Sequence, residues 1–180
     1  IRDILARHGR ADVPIWYTEV GWKISYADGG TFADVPGQIY VSPELQAAYV
    51  TRLYAMAMRL GVERVNIMYI RDSDGFNGGF FKNGGGWRPS AHAAQTFIAL
   101  MPNPKLTGVV SDGTDGRWIF TFCPDADAGG QTPPDVIMAW NVQGAEVVDI
   151  PCDADVVTVT DMLGNQQEVR TSGQSLQVEI

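Results

Sequence analysis

Glu19 is the residue of this sequence best placed to do chemistry. It closes the apolar and aromatic run Val13-Pro14-Ile15-Trp16-Tyr17-Thr18, and Gly21 and Trp22 follow closely. A carboxylate at the end of such a strand can attack an electrophilic carbon or move a proton. The plain structural alternative is a strand-end Glu satisfied by a surface Lys or Arg. A second group, Tyr69, Arg71 and Asp72, sits at the end of the run Val65-Asn66-Ile67-Met68-Tyr69-Ile70. Tyr69 is a large aromatic at a strand end and reads as an interior-filling ring or as an exposed contact face. Arg71 and Asp72 read as polar ligands of a bound molecule or as a pair with each other, the pair being the simpler reading. Trp22, Phe80, Phe81 and Trp87 fall in two long loops, where they either form a contact surface or pin the loops down.

Other chemistries find no support. Asp72-Ser73-Asp74-Gly75 has the start of a calcium loop but lacks its later acidic ligands and closing Glu, so it reads as a turn. His8 and His92 have no Cys or acidic residue at ligand spacing, and no metal or other cofactor is expected. There is no Ser nucleophile elbow, phosphate loop or dinucleotide fingerprint.

The elements that must position these residues alternate in the first half. The strand ending at Glu19 is followed by a long loop rich in Gly, Asp and aromatics. Ser42-Pro43 then opens a helix, with Ser as cap and Pro in the first turn. Leu45, Tyr49, Leu53, Met56 and Leu60 form its expected inward stripe, and Gly61 stops it. The second strand, Val65 to Ile70, leads into a glycine-rich loop from Arg71 to Pro89. A last helix, capped by Ser90, is expected to turn Ala94, Phe97, Ile98 and Met101 inward and to end at Pro102. Ile1 to Arg10 reads as the end of a further helix, with Ile1, Ile4, Leu5 and His8 on one face. With no initiator Met and no leader-like stretch, the chain is expected to be cut from something longer.

Beyond Pro102-Asn103-Pro104 the composition changes. Residues 1–102 hold all six tyrosines and carry a net charge of +1, while residues 103–180 hold both cysteines and carry −9. Short strand-like runs follow at Arg117–Cys123, Val136–Asn141, Ala145–Ile150, Val156–Thr160, Gln167–Thr171 and Leu176–Ile180. Asp161-Met162-Leu163-Gly164-Asn165 makes a turn between two of them. Cys123 and Cys152 read as a pair or as two small buried thiols. The 180 residues are 45% hydrophobic and 19% charged, which suits a folded protein. The net charge of −8 repels phosphate, so nucleic acid is not an expected partner. No apolar run is long enough for a spanning helix, so no membrane is expected either. Localisation stays open.

Pro14-Ile15-Trp16-Tyr17-Thr18-Glu19-Val20-Gly21-Trp22 resembles the seventh barrel strand of the retaining glycoside hydrolases of clan A, which carries the nucleophile in a Thr-Glu-x-Gly-Trp-like setting. Val65–Ile70, the glycine-rich loop and Trp87-Arg88-Pro89-Ser90-Ala91 resemble the eighth strand, its loop and the start of the eighth helix. The strand-rich tail with Asp161–Asn165 resembles the sandwich appended to family thirty-nine-like members. The resemblance implies α/β plus all-β architecture: residues 1–102 as the last strands and helices of a (β/α)8 TIM barrel, and residues 103–180 as an antiparallel β-sandwich. It implies Glu19 as nucleophile and a carbohydrate substrate met by Trp22, Tyr69, Arg71, Asp72 and Trp87. Tyr69 stands where the family usually has Trp. The family's acid/base follows an Asn on the fourth strand. No Asn-Glu pair occurs here, so that residue is expected outside this chain, and the chain is expected to pack against a missing N-terminal barrel portion or another copy of itself. The rival reading is a non-catalytic carbohydrate-binding or structural sandwich module.

Overall fold

The computed structural model describes residues 1–25, 34–73, 75–125 and 134–180. They form two compact units, Ile1–Ser90 and Ala91–Ile180, and the fold is mixed, with few helices and many antiparallel ladders.

The first unit opens with a short helix, α1 (Arg2–Arg7). Gly9, at φ +68, ends it in the left-handed conformation that glycine adopts at no cost. Strand β1 (Trp16–Val20) leads by way of helix α2 (Pro43–Arg59) to strand β2 (Arg64–Ile67). The two strands pair in parallel, Trp16 opposite Arg64 and Tyr17 opposite Val65, as a helical crossover requires. The N-terminus of α2 forms as expected: Ser42 Oγ accepts from the Leu45 N–H at 3.1 Å, and Pro43 sits in the first turn.

Its inward face differs from the expected stripe. Gln46, Ala47, Val50, Thr51, Ala55 and Ala57 are buried, whereas Leu45 and Leu60 are exposed. Small residues at i and i+4 let the helix backbone approach its neighbours closely, and that packing outweighs the pull of the larger side chains. β2 also ends sooner than its apolar run. Tyr69 has φ +58, a left-handed conformation that breaks strand geometry.

Helix α3 (Pro89–Leu100) spans the division between the units. Ala93, Ala94, Phe97 and, just past its end, Met101 are buried, but Ile98 is exposed because it falls off that stripe. The helix starts at Pro89, one residue before the expected cap, and Ser90 is already inside the first turn with its hydroxyl buried.

The second unit is antiparallel throughout. Strands β3 (Lys105–Asp112), β4 (Arg117–Cys123) and β5 (Val136–Asn141) form one sheet in the order β3-β4-β5. Strands β6 (Val147–Pro151) and β9 (Ser175–Glu179) form one ladder, and β7 (Val156–Thr160) and β8 (Gln166–Arg170) another. Alternation along β4 sorts its side chains. Ile119 joins Val148, Ile150 and Leu176 in an aliphatic core, to which Ile137, Val157, Val159 and Val169 are packed. Trp118, Phe120 and Phe122 point the other way. Trp118 stacks on its cross-strand partner Trp140 at 5.8 Å, and Phe120 meets Trp140 edge-on at 5.4 Å. Cys123 and Cys152 are both free thiols.

The Asp161–Asn165 turn joins β7 to β8. Asp161 Oδ1 accepts from the Leu163 and Asn165 N–H groups, both at 2.9 Å, and Oδ2 accepts from Asn165 Nδ2 at 2.7 Å. The Asn165 side-chain bond, with the backbone donors behind it, holds the Asp161 carboxyl below the ordinary aspartate range. A lowered pKa stabilises the fold above the unfolded value of ~3.9, and that contribution is lost as pH falls through the lower folded value. The urea midpoint of Asp161→Asn should therefore lie below that of the unmodified chain at pH 6, with the gap closing toward pH 2.5. A gap that is the same at both ends of the range would contradict this.

Candidate functional site

β1 does not alternate strictly. Trp16, Thr18 and Glu19 are exposed, and Tyr17 and Val20 are half-buried. Tyr17 pairs with Val65 but Val20 pairs with Ile67, so β1 holds one residue more than β2 over this stretch. The extra residue is a bulge, and it turns both Thr18 and Glu19 to the open face shared with Trp16. In a regular strand Glu19 would share the half-buried side with Tyr17. Tyr69 follows β2 by two residues, so Glu19 and Tyr69 lie at the C-terminal ends of adjacent parallel strands. The Tyr69 ring packs on Phe76 at 4.7 Å and is 44% exposed. Left-handed backbone at an aromatic residue costs roughly 1–3 kcal/mol. The Phe76 contact and the Phe81 N–H bond to the neighbouring Ile70 carbonyl, at 3.0 Å, hold it in place.

The other expected site residues divide. Trp22 lies against Tyr49 of α2, ring centres 5.3 Å apart. Trp87 is 51% exposed and meets Phe81 edge-on at 5.2 Å. Arg71 is exposed and donates to the Asn83 carbonyl at 2.8 Å, so it holds its own loop. It does not pair with Asp72. The Asp72 carboxylate is instead taken by buried Arg88, whose Nη2 reaches Oδ2 at 2.5 Å, while Oδ1 accepts from the Gly78 and Gly79 N–H groups at 3.0 and 2.9 Å. A carboxylate with three donors, one of them a buried guanidinium, is better served than one beside an exposed Arg. Of the calcium-like stretch, Asp74 lies outside the described residues. Ser73 and Phe76 exchange reciprocal backbone bonds at 3.1 and 3.0 Å.

Sequence reasoning missed the residues that organise these loops. Arg88 Nη2 also donates to Asn77 Oδ1 at 2.5 Å, and Asn77 Nδ2 donates to the Ile24 and Ser25 carbonyls, both at 3.1 Å. Gln46 Nε2 donates to the Gly78 carbonyl at 2.6 Å and the Trp22 carbonyl at 3.1 Å. Gly79 is obligatory here: a Cβ would lie 2.5 Å from the Arg71 carbonyl carbon and 2.7 Å from the Asp72 nitrogen. The signal was available in Asn77-Gly78-Gly79, where two glycines beside an amide mark a close approach of backbones. Among the described residues no three His, Cys, Asp or Glu side chains gather as a metal site, and no helix is long and apolar enough to cross a membrane.

No protein-family model matches the chain. In sequence it is similar to a tetracenomycin B2 monooxygenase-dioxygenase of Streptomyces olivaceus, 29% identical over 89 residues. These are 48% of this chain and 16% of that protein. In fold it is similar to a family 39 glycoside hydrolase from the gut symbiont Bacteroides cellulosilyticus WH2, with a TM-score of 0.69 and 18% identity. That match covers 99% of this chain and 35% of the other. The chain thus shares the fold of about a third of that hydrolase, across both compact units, and spans a minor part of either relative's length.

Proposed function

We propose that this chain is the C-terminal part of a retaining glycosidase. In this reading residues 1–102 are the last strands and helices of a (β/α)8 barrel, and residues 103–180 are a β-sandwich. The observation that carries it is the pair Glu19 and Tyr69 at the C-terminal ends of adjacent parallel strands, the rim where barrel enzymes keep their active sites. The whole-chain fold likeness to a glycoside hydrolase supports it. Glu19 is the nucleophile. Its carboxylate oxygen forms a bond to the anomeric carbon as the bond to the leaving oxygen breaks, and an acid outside this chain protonates that oxygen. Water then cleaves the glycosyl ester, with the same outside group now acting as base. Tyr69, Trp22, Trp87 and Arg71 line the sugar side. Asp72 acts through its bonds to the loop, and the remaining barrel strands cover the open face of β1 and β2.

Trapping tests the reading. In the full-length protein carrying this chain, one of a panel of 2-deoxy-2-fluoroglycosyl fluorides (gluco, galacto, manno, xylo) should leave a covalent adduct on the peptide containing Glu19. An adduct on another carboxylate would move the nucleophile. No adduct, combined with polysaccharide binding by residues 103–180 alone, would favour the non-catalytic module.

A further inference from the structure

Asn77 is 2% exposed and belongs to the loop after β2, yet both bonds that its amide donates leave that stretch. Its Nδ2 holds the Ile24 and Ser25 carbonyls of the segment after β1, and its Oδ1 accepts from Arg88 at the foot of α3. Its backbone carbonyl accepts from the Ile24 N–H at 2.6 Å. Gln46, also 2% exposed, repeats the pattern from the first turn of α2: one NH2 group holds Trp22 on the first loop and Gly78 on the second. Two amides therefore knot together the segments that leave the two parallel strands, within six residues of Glu19 on one side and nine of Tyr69 on the other.

We propose that Asn77 and Gln46 are positioning residues: they lock the loop after β1 to the loop after β2 and so fix the Glu19 carboxylate relative to the Tyr69 ring. The catalytic half of this proposal rests on Glu19 being the nucleophile; the locking half does not. A nucleophile displaced by about 1 Å loses on the order of 100-fold in rate, so even a soft lock is felt in the chemistry.

Two variants separate position from stability. Asn77→Asp keeps the acceptor for Arg88 and the backbone bond from the Ile24 N–H but deletes both side-chain bonds to the first loop. Gln46→Met deletes both carbonyl ties and removes the buried Oε1, which accepts from no protein donor. It should keep the melting temperature within a few degrees. In the full-length protein, amide exchange of Ile24 should speed at least tenfold in each variant. With the fluorinated glycosyl fluoride that labels the unmodified protein, the maximal trapping rate should fall at least tenfold, at little change in the half-saturating probe concentration. Simple loss of folded protein would instead lower the labelled fraction at an unchanged rate, and that result overturns the proposal. So does unchanged Ile24 exchange in Gln46→Met, or faster exchange with a trapping rate within twofold of the unmodified protein. Absence of label on Glu19 in the unmodified protein defeats the nucleophile reading and with it the catalytic half, while the exchange measurement still decides the lock.

Discussion

Glu19→Gln in the full-length protein should abolish turnover of aryl glycosides, with a loss on the order of 10⁴-fold or more, and leave the fold untouched. The substitution keeps shape and polarity but replaces the oxygen that must attack the anomeric carbon with an amide. Glu19 is exposed at the bulge of β1 and its side chain bonds to none of the other described residues, so the stability change should stay within about 0.5 kcal/mol. The assay pairs initial rates on the best aryl glycoside with a thermal melt of the same sample. Retention of more than a tenth of the activity in a correctly folded variant would remove Glu19 from the nucleophile's role. The bulge makes the result specific to position. Gln at Glu63, an exposed carboxylate preceding β2, should have no such effect, since its place at the opposite end of the strands keeps it from any chemistry at the C-terminal rim.

Much of the framework was legible from sequence because periodicity and punctuation are local. Ser42-Pro43 announced α2, and Arg117–Cys123, Val136–Asn141 and Val156–Thr160 are strands with the bounds their residue types suggest. The parallel pairing of β1 and β2 followed from the intervening helix. What failed was non-local. β3 escaped notice because Gly108 and two register shifts break its alternation. Gly108 is needed there because a Cβ would come within 2.5 Å of Thr121 Oγ1 on the neighbouring strand. The large residues of α2 misled because burial is decided by which face meets the sheet, and that face carries alanines. At the site, Glu19 stood out by its setting. Its orientation did not, because a bulge is a relation between two strands. The partner of Asp72 was misjudged for a similar reason. Sequence adjacency favours Arg71, but two consecutive residues in extended chain point apart, and the loop folds back to bring Arg88 from sixteen residues away.

The Arg88–Asp72 pair supports the second large expectation. Arg88→Met should cost roughly 3–5 kcal/mol, the usual penalty for leaving one partner of a buried ion pair uncompensated. At about 2–4 °C per kcal/mol for a chain of this length, the melting transition should fall by ~6–20 °C. The side chain is 1% exposed and a single guanidinium nitrogen serves both Asp72 and Asn77, so its loss removes the link between the two amide-tied loops and the start of α3. Arg88→Lys should recover part of the loss, since an ammonium restores the charge. It should not recover all of it, because an ammonium is a compact, strongly hydrated charge that costs more to bury than the weakly hydrated guanidinium. Asp72→Asn combined with Arg88→Met should cost less than the two single changes added together, because the second substitution removes the buried charge the first one strands. Urea unfolding and thermal melts, both followed by tryptophan fluorescence, give all four values. If Arg88→Met melts within 2 °C of the unmodified protein, or if the single costs simply add, the pair is not the tie that holds the loop after β2. The positions of Tyr69 and Trp87 must then rest on their ring contacts with Phe76 and Phe81 alone.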